Sequence, residues 1–267
     1  MAIGISLPLE CMIFIWGGVK VLRSSNIKGV LFDLHDTLVD KGGVVAIECA
    51  LREAANFLQA QGYGISFEDY SRVWKSCVTI GRNVMTDGRE FSFAEWHQQI
   101  FAGLNIPYDS EMAVQLNQHF MRGFIDHIKL IPGAVDILKK LKSNYVLGLV
   151  SNSMAENTIV DLERTGITEY FNTITISSRV GYCKPHPIIY QTAMRSLDLT
   201  AEEICFIGDN WEDDVVGPTQ QGMQAIWVKP SKKQAEDWQL QAPGVAVVER
   251  IEQVLDILGI EESGAPA

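Results

Sequence analysis

The ten residues from Leu31 to Asp40, Leu-Phe-Asp-Leu-His-Asp-Thr-Leu-Val-Asp, constrain this chain most: an apolar run stops on an aspartate and turns at once into a polar loop. The pattern predicts that Asp33 stands at the end of a buried strand. Sheets of the α/β class bind ligands beyond the carboxyl ends of their strands, and an aspartate held there can attack phosphorus or carbon as a nucleophile. Taken alone, the same residues also suit a simple turn, with Asp33 as a cap and Thr37 bonded to the backbone.

The rest of the chain alternates element types. Short apolar or β-branched runs bounded by polar turns predict strands over Gly29 to Asp33, Tyr145 to Ser151, Asn172 to Ser177, Ile204 to Asp209, Ala225 to Lys229 and Val245 to Val248. Helical spacing fits Val135 to Leu141, Ile159 to Arg164, Ile188 to Leu197 and Ile251 to Leu258. Strand then helix, repeated, predicts an α/β fold: a Rossmann-like parallel sheet in three α/β/α layers.

One region breaks the alternation. From Val44 to about Ile128 there is no strand signal, and amphipathic helices are predicted over Val45 to Ala60, Phe67 to Ile80, Phe93 to Leu104 and Glu111 to Phe124. Ser66 with Asp69, and Ser92 with Glu95, are start signals of the capping-box kind. The expected organisation is therefore an extension over 1–27, a core domain from 28–42 and 129–267, and an all-helical cap from 43–128. For residues 1–27 an extra strand, a packing arm or a start-site extension are all open.

Three further strand ends carry chemistry. Val150-Ser151-Asn152 brings a hydroxyl and backbone N–H donors to the edge that holds Asp33, although Ser-Asn is also a common helix cap. Lys184 lies in the loop Gly181 to Pro187, and the proline after it holds its backbone extended. The fourth strand ends in Gly208-Asp209-Asn210-Trp211-Glu212-Asp213-Asp214, with four acids in six residues. Such crowding is costly without a cation, and an all-carboxylate set suits Mg²⁺.

Composition excludes some partners. A formal charge of -11 argues against a nucleic-acid backbone or an anionic membrane as partner, since either would need a basic face. The apolar stretch from Met12 to Trp16 is flanked by Glu10 and Lys20, well short of the ~18 apolar residues a membrane span needs. Five scattered cysteines, Cys11, Cys49, Cys77, Cys183 and Cys205, form no close metal or disulfide pattern and point to a reducing cytoplasm.

The four segments in this order resemble the motifs of the haloacid dehalogenase-like hydrolase superfamily: Asp33 to Thr37, Ser151, Lys184, and Gly208-Asp209 with Asp214. The likeness spans residues 29 to about 230, and the helical insert resembles that family's cap placed between its first and second motifs. It implies a small phosphorylated metabolite as partner and Asp33 as a nucleophile forming an aspartyl intermediate. Ser151, with Asn152 beside it, and Lys184 would hold the transferring group, with Thr37 in the same loop. Asp33, the His35 backbone carbonyl, Asp209 and Asp214 would bind Mg²⁺, with Asp213 as a substitute for Asp214. Such a division of labour suits phosphoryl transfer, which needs positioning and positive charge above all.

One position departs from the pattern. Phosphatases of this superfamily carry a second aspartate two residues after the nucleophile as general acid and base; here His35 stands there, and Asp36 is one residue out of phase. Three readings are open. Histidine performs the aspartate's task in a phosphatase; or the chain is a weak or inactive binding protein; or it is a metal-independent 2-haloacid dehalogenase, against which Gly208-Asp209 argues. In the cap, Arg52, Lys75, Arg82, Arg89 and His97 are the candidates for substrate choice.

Overall fold

The computed structural model describes residues 14–16, 19–21, 26–84, 87–230, 235–236 and 242–260. Two short strands, β1 (Phe14–Trp16) and β2 (Val19–Val21), pair antiparallel, so an extra strand pair is the form taken by the described part of the N-terminal extension. Of its other residues only Asn26 and Ile27 are described, Ile27 being buried in the main core, and Cys11 lies outside the described residues.

β3 (Gly29–Phe32) is the centre of the molecule. It is followed by β4 (Val39–Asp40) and then by four helices, α1 (Gly43–Ala60), α2 (Phe67–Val84), α3 (Phe93–Gly103) and α4 (Ser110–Ile125). β5 (Lys129–Leu130) pairs antiparallel with β4 and closes the insert at its base. This pair has too few residues to carry a strand pattern and went unread in the sequence.

The chain then alternates as expected: α5 (Ala134–Lys142), β6 (Val146–Ser151), α6 (Ala155–Thr165), β7 (Thr173–Ile176), α7 (Ser177–Val180), α8 (Pro187–Leu197), β8 (Ile204–Gly208), α9 (Gly217–Gln220), β9 (Gln224–Val228), β10 (Val245–Val248) and α10 (Val254–Ile257). Predicted boundaries shift by a residue or so at most strands. The predicted helix over Ile251 to Leu258 splits into a 3₁₀ turn, Ile251–Gln253, and α10. The acidic stretch after β8 is a π-helical turn, Trp211–Val216, rather than an open turn.

The six strands stand in the order β10-β9-β8-β3-β6-β7, all parallel. β3 is buried along its whole length because both faces are covered. Val30 and Phe32 pack with Leu147, Leu149 and Ile207 against Ile137 and Leu138 of α5, whereas Leu31 packs with Val150 and Phe206 against Ile189 and Tyr190 of α8. The two-residue side-chain period thus divides one apolar run between two cores, which is why it reads as continuous rather than alternating.

The helical insert has its own core, including Leu51, Leu58, Phe101 and Leu116. α1 and α4 touch backbone to backbone: a Cβ at Gly123 would stand 2.3 Å from the Ala50 backbone. Ser92 caps α3 in the predicted box, accepting from the Glu95 N–H while the Glu95 carboxylate accepts from the Ser92 N–H. Among the described residues no helix is long and apolar enough to cross a membrane. Cys49, Cys77, Cys183 and Cys205 are free thiols.

Candidate active site

Parallel register brings the four predicted segments together. Phe32 pairs with Ile207 of β8 on one side and Leu149 of β6 on the other, so Asp33, the next residue, emerges between the ends of those strands. Its N–H donates to the Ile207 carbonyl at 2.9 Å. Ser151 ends β6, and Asp209 follows β8, its carbonyl held by the Trp227 indole N–H at 2.8 Å.

Lys184 arrives from the loop between α7 and α8. Asn152 seats it there: the Lys184 N–H donates to Asn152 Oδ1 at 2.7 Å, and Asn152 Nδ2 donates to the Lys184 carbonyl at 2.9 Å. The Lys184 ammonium is buried and donates to Asp33 Oδ1 at 2.6 Å and to Asp214 Oδ1 at 2.7 Å. Carboxylate oxygens of Asp33, Asp209 and Asp214 all lie within 4.8 Å of one another.

The electrostatics follow from this crowding. Burial raises the Asp209 pKa to about 6, with the Asp33 and Asp36 charges adding to the shift. Burial also raises that of Asp214, against the pull of the Lys184 ammonium. For Lys184 burial works downward, but the Asp214 and Asp33 carboxylates outweigh it and hold the amine protonated. Asp214 is held at both oxygens, the second accepting from the Asn210 N–H at 2.9 Å. Gly208 makes room for it: a Cβ there would stand 2.3 Å from the Asp214 carboxyl. Asp213 is half-buried and reaches Asn152 Nδ2 at 3.4 Å.

Two hydroxyls of the predicted set, Thr37 Oγ1 and Ser151 Oγ, are buried and make no hydrogen bond within the chain. Buried polar groups are almost always satisfied, so these two exceptions, one in the loop after Asp33 and one at the end of the neighbouring strand β6, mark a place for a polar ligand.

His35 turns away from this cluster. Its Nε2 lies 2.8 Å from Asp161 Oδ2 on α6, and Lys41 Nζ reaches the same oxygen at 3.2 Å. Asp36 is exposed with a φ of 60°, a left-handed conformation natural to glycine, so its side chain does not replace that of His35. Sequence reading missed Asp161 and Lys41. A signal was present for the first: Ala155, Thr158 and Leu162 mark the buried face of α6, and Asp161 is an acid on it.

A model of the haloacid dehalogenase-like hydrolases matches residues 27–218, taking in all four strand ends. The chain belongs to this family. A glyceraldehyde 3-phosphate phosphatase of Pyrococcus abyssi is 25% identical over 87% of this chain and 94% of its own length. The pyrophosphatase PpaX of Oceanobacillus iheyensis is 30% identical over 88% and 98%. Among solved structures, a 2-haloacid dehalogenase from Pseudomonas syringae superposes with a TM-score of 0.67 at 26% identity, covering 87% of this chain and 98% of that one.

In this haloacid dehalogenase-like hydrolase the helical insert is tied to the catalytic edge. The Glu90 N–H donates to the Gly181 carbonyl at 3.0 Å and the Cys183 N–H to Gly88 at 2.9 Å, so the α2–α3 connection grips the loop that carries Lys184. Between insert and sheet lies a cavity of about 560 Å³ whose floor is formed by His35, Asp36, Asn152 and Ser153. Of the predicted cap candidates whose side chains are described, only His97 lines it. Arg52 pairs with Glu48 at 2.6 Å, Arg89 with Glu95 at 2.9 Å, and Lys75 is exposed. The Arg82 side chain lies outside the described residues.

Proposed function

We propose that this hydrolase cleaves a small phosphomonoester through an aspartyl-phosphate on Asp33. The observation that carries the reading is the Lys184 ammonium fixed between Asp33 and Asp214, beside two buried hydroxyls without partners. An anion with several oxygens, held against a carboxylate nucleophile, accounts for the ammonium and both hydroxyls at once. The activities of two relatives agree in kind: a glyceraldehyde 3-phosphate phosphatase and a pyrophosphatase.

In the proposed reaction an Asp33 oxygen attacks phosphorus as the ester P–O bond breaks. His35 gives a proton to the departing alcohol oxygen, and then takes one from the water that attacks the aspartyl-phosphate, releasing inorganic phosphate and restoring Asp33. Lys184 and the Ser151 hydroxyl offset the charge of the equatorial oxygens. Asn152 holds the Lys184 backbone in place.

Three hard carboxylates within 4.8 Å, with the pKa of Asp209 forced upward, suit a divalent cation. Asp33, Asp209 and the His35 backbone carbonyl would hold Mg²⁺, with Asp214 or Asp213 assisting. When bound, it neutralises charge on the phosphoryl group. A small phosphorylated metabolite as substrate, a cap spanning 43–128 and a cytoplasmic location complete the proposal.

The test is phosphate release from a generic aryl phosphate with and without Mg²⁺. Release that needs Mg²⁺ and vanishes in Asp33→Asn is expected. No release at any pH would retire the reading in favour of a binding protein, and halide release from 2-haloacids without metal would favour a dehalogenase.

A further inference from the structure

The cavity above His35 is not built for a sugar phosphate. Its roof carries five aromatic rings in sequence: Phe91 to Trp96 with centroids 6.0 Å apart, Trp96 to Trp74 at 6.4 Å, Trp74 to Phe120 at 6.2 Å, and Phe120 to Phe124 at 5.4 Å. Aromatic rings at these separations offer edges and faces to a further ring, and stacking adds to the gain from apolar burial. The size falls in the ~300–1,000 Å³ range of small-ligand pockets.

The polar groups of the cavity are equally selective. Among the described lining residues there is no arginine and one lysine, Lys41, whose ammonium is engaged by Asp161 and lies 5.0 Å over the Phe124 ring. His97 Nδ1 is spent on the Phe93 carbonyl at 2.9 Å, and burial lowers its pKa, so the ring is neutral. Among the described lining residues no free cation is left to hold a second anionic group. Glu90 supplies the opposite preference: its Oε1 accepts from the Phe91 N–H at 3.0 Å, while Oε2 is buried without a hydrogen bond and the nearby Ser177 hydroxyl donates to the Ser153 carbonyl at 3.2 Å. Burial raises the Glu90 pKa against the pull of the hydrogen bond from the Phe91 N–H; when Glu90 is ionised, a ligand N–H or O–H would satisfy that oxygen, and a ligand carboxylate or second phosphate would be repelled by it.

We infer that the substrate is the monophosphate of an alcohol with a flat aromatic or heteroaromatic body, bearing a hydrogen-bond donor and no second anionic group. The inference rests on the phosphomonoester reading above. Phosphate would sit at Asp33, Ser151 and Lys184, which do not line the cavity themselves but adjoin its floor residues His35, Asn152 and Ser153, with the ring beneath Trp74, Trp96 and Phe120 and its donor at Glu90. This separates the chain from enzymes named for small polar phosphates, since those substrates leave the aromatic roof wet.

The experiment compares kcat/KM for phosphates whose alcohols are of similar leaving ability: 2-phenylethyl phosphate against glycerol 3-phosphate, and 2-(4-aminophenyl)ethyl phosphate against its 4-carboxyphenyl analogue. The expected result is at least about a tenfold preference for the aromatic member of the first pair and for the amino member of the second. The second preference should shrink in Glu90→Gln. Equal or better use of glycerol 3-phosphate, or of the carboxylate, would overturn the inference and leave the phosphatase reading standing. If no phosphate is turned over, the phosphatase reading fails, and quenching of tryptophan fluorescence by 2-(4-aminophenyl)ethanol then decides alone. Saturable quenching that the carboxy analogue does not produce upholds the pocket, and its absence overturns it.

Discussion

His35 Nε2 and Asp161 Oδ2 lie 2.8 Å apart, joining the loop after the first strand to a helix 126 residues further on. The Asp161 carboxyl is fully buried, and its other oxygen has no partner. A carboxylate bonded to one imidazole nitrogen fixes the ring's orientation and leaves the second nitrogen for other work. The departure from the family pattern at His35 thus comes with an acid of its own.

If Asp161 positions His35, Asp161→Asn will lower kcat by about tenfold and move KM little. A double-mutant cycle with His35→Ala will show coupling of at least about 0.5 kcal/mol. Steady-state kinetics on the four proteins checks this; additive effects would leave Asp161 a purely structural residue.

His35→Asp restores the usual acid of the family but sets it against the buried Asp161 carboxyl. The single variant is expected to be less stable and slower than the parent, because like charges at this spacing repel. H35D combined with D161N is expected to recover both. Thermal melts and turnover of the pair decide the matter.

Lys184→Met removes the ammonium from between two buried carboxylates. Breaking one partner of a buried pair costs about 3–5 kcal/mol, so denaturant midpoints should fall accordingly. Added Mg²⁺ should return part of the loss by taking over the compensation of charge.

For Asp209 the folded pKa, about 6, lies above its ordinary value of 3.8. The metal-free folded protein therefore holds a proton here that the unfolded chain releases, and the contribution of Asp209 to stability falls as pH rises from 3.8 to 6, a decline read as the difference from Asp209→Asn. Melting temperatures in EDTA should show this decline. With Mg²⁺ present the carboxylate form is the one that binds, so the gain from metal should grow through the same window; a flat difference would argue against Asp209 as a ligand.

Gly208→Ala would place a Cβ 2.3 Å from the Asp214 carboxyl and push it off Lys184 and the Asn210 N–H. A loss of about 1–3 kcal/mol and a fall in turnover are expected. Retained activity with an unchanged melting temperature would mean that Asp214 can shift without consequence.

The sequence by itself determined the sheet, the insert and the four strand ends, because each is a local pattern. Continuous apolar runs such as Val30 to Phe32 encode strands covered on both faces, helical spacing encodes α1 to α4, and chemistry-bearing residues appear where such runs stop. The β4–β5 pair escaped notice because two residues carry no periodicity. Only the tertiary structure decided what those residues face. Arg52 and Arg89 turn to surface partners, Glu90 and an aromatic roof close over His35, and Asp161 meets a histidine far away in the chain. Side-chain direction across separate elements depends on packing angles and register between them, and no stretch of local sequence encodes those.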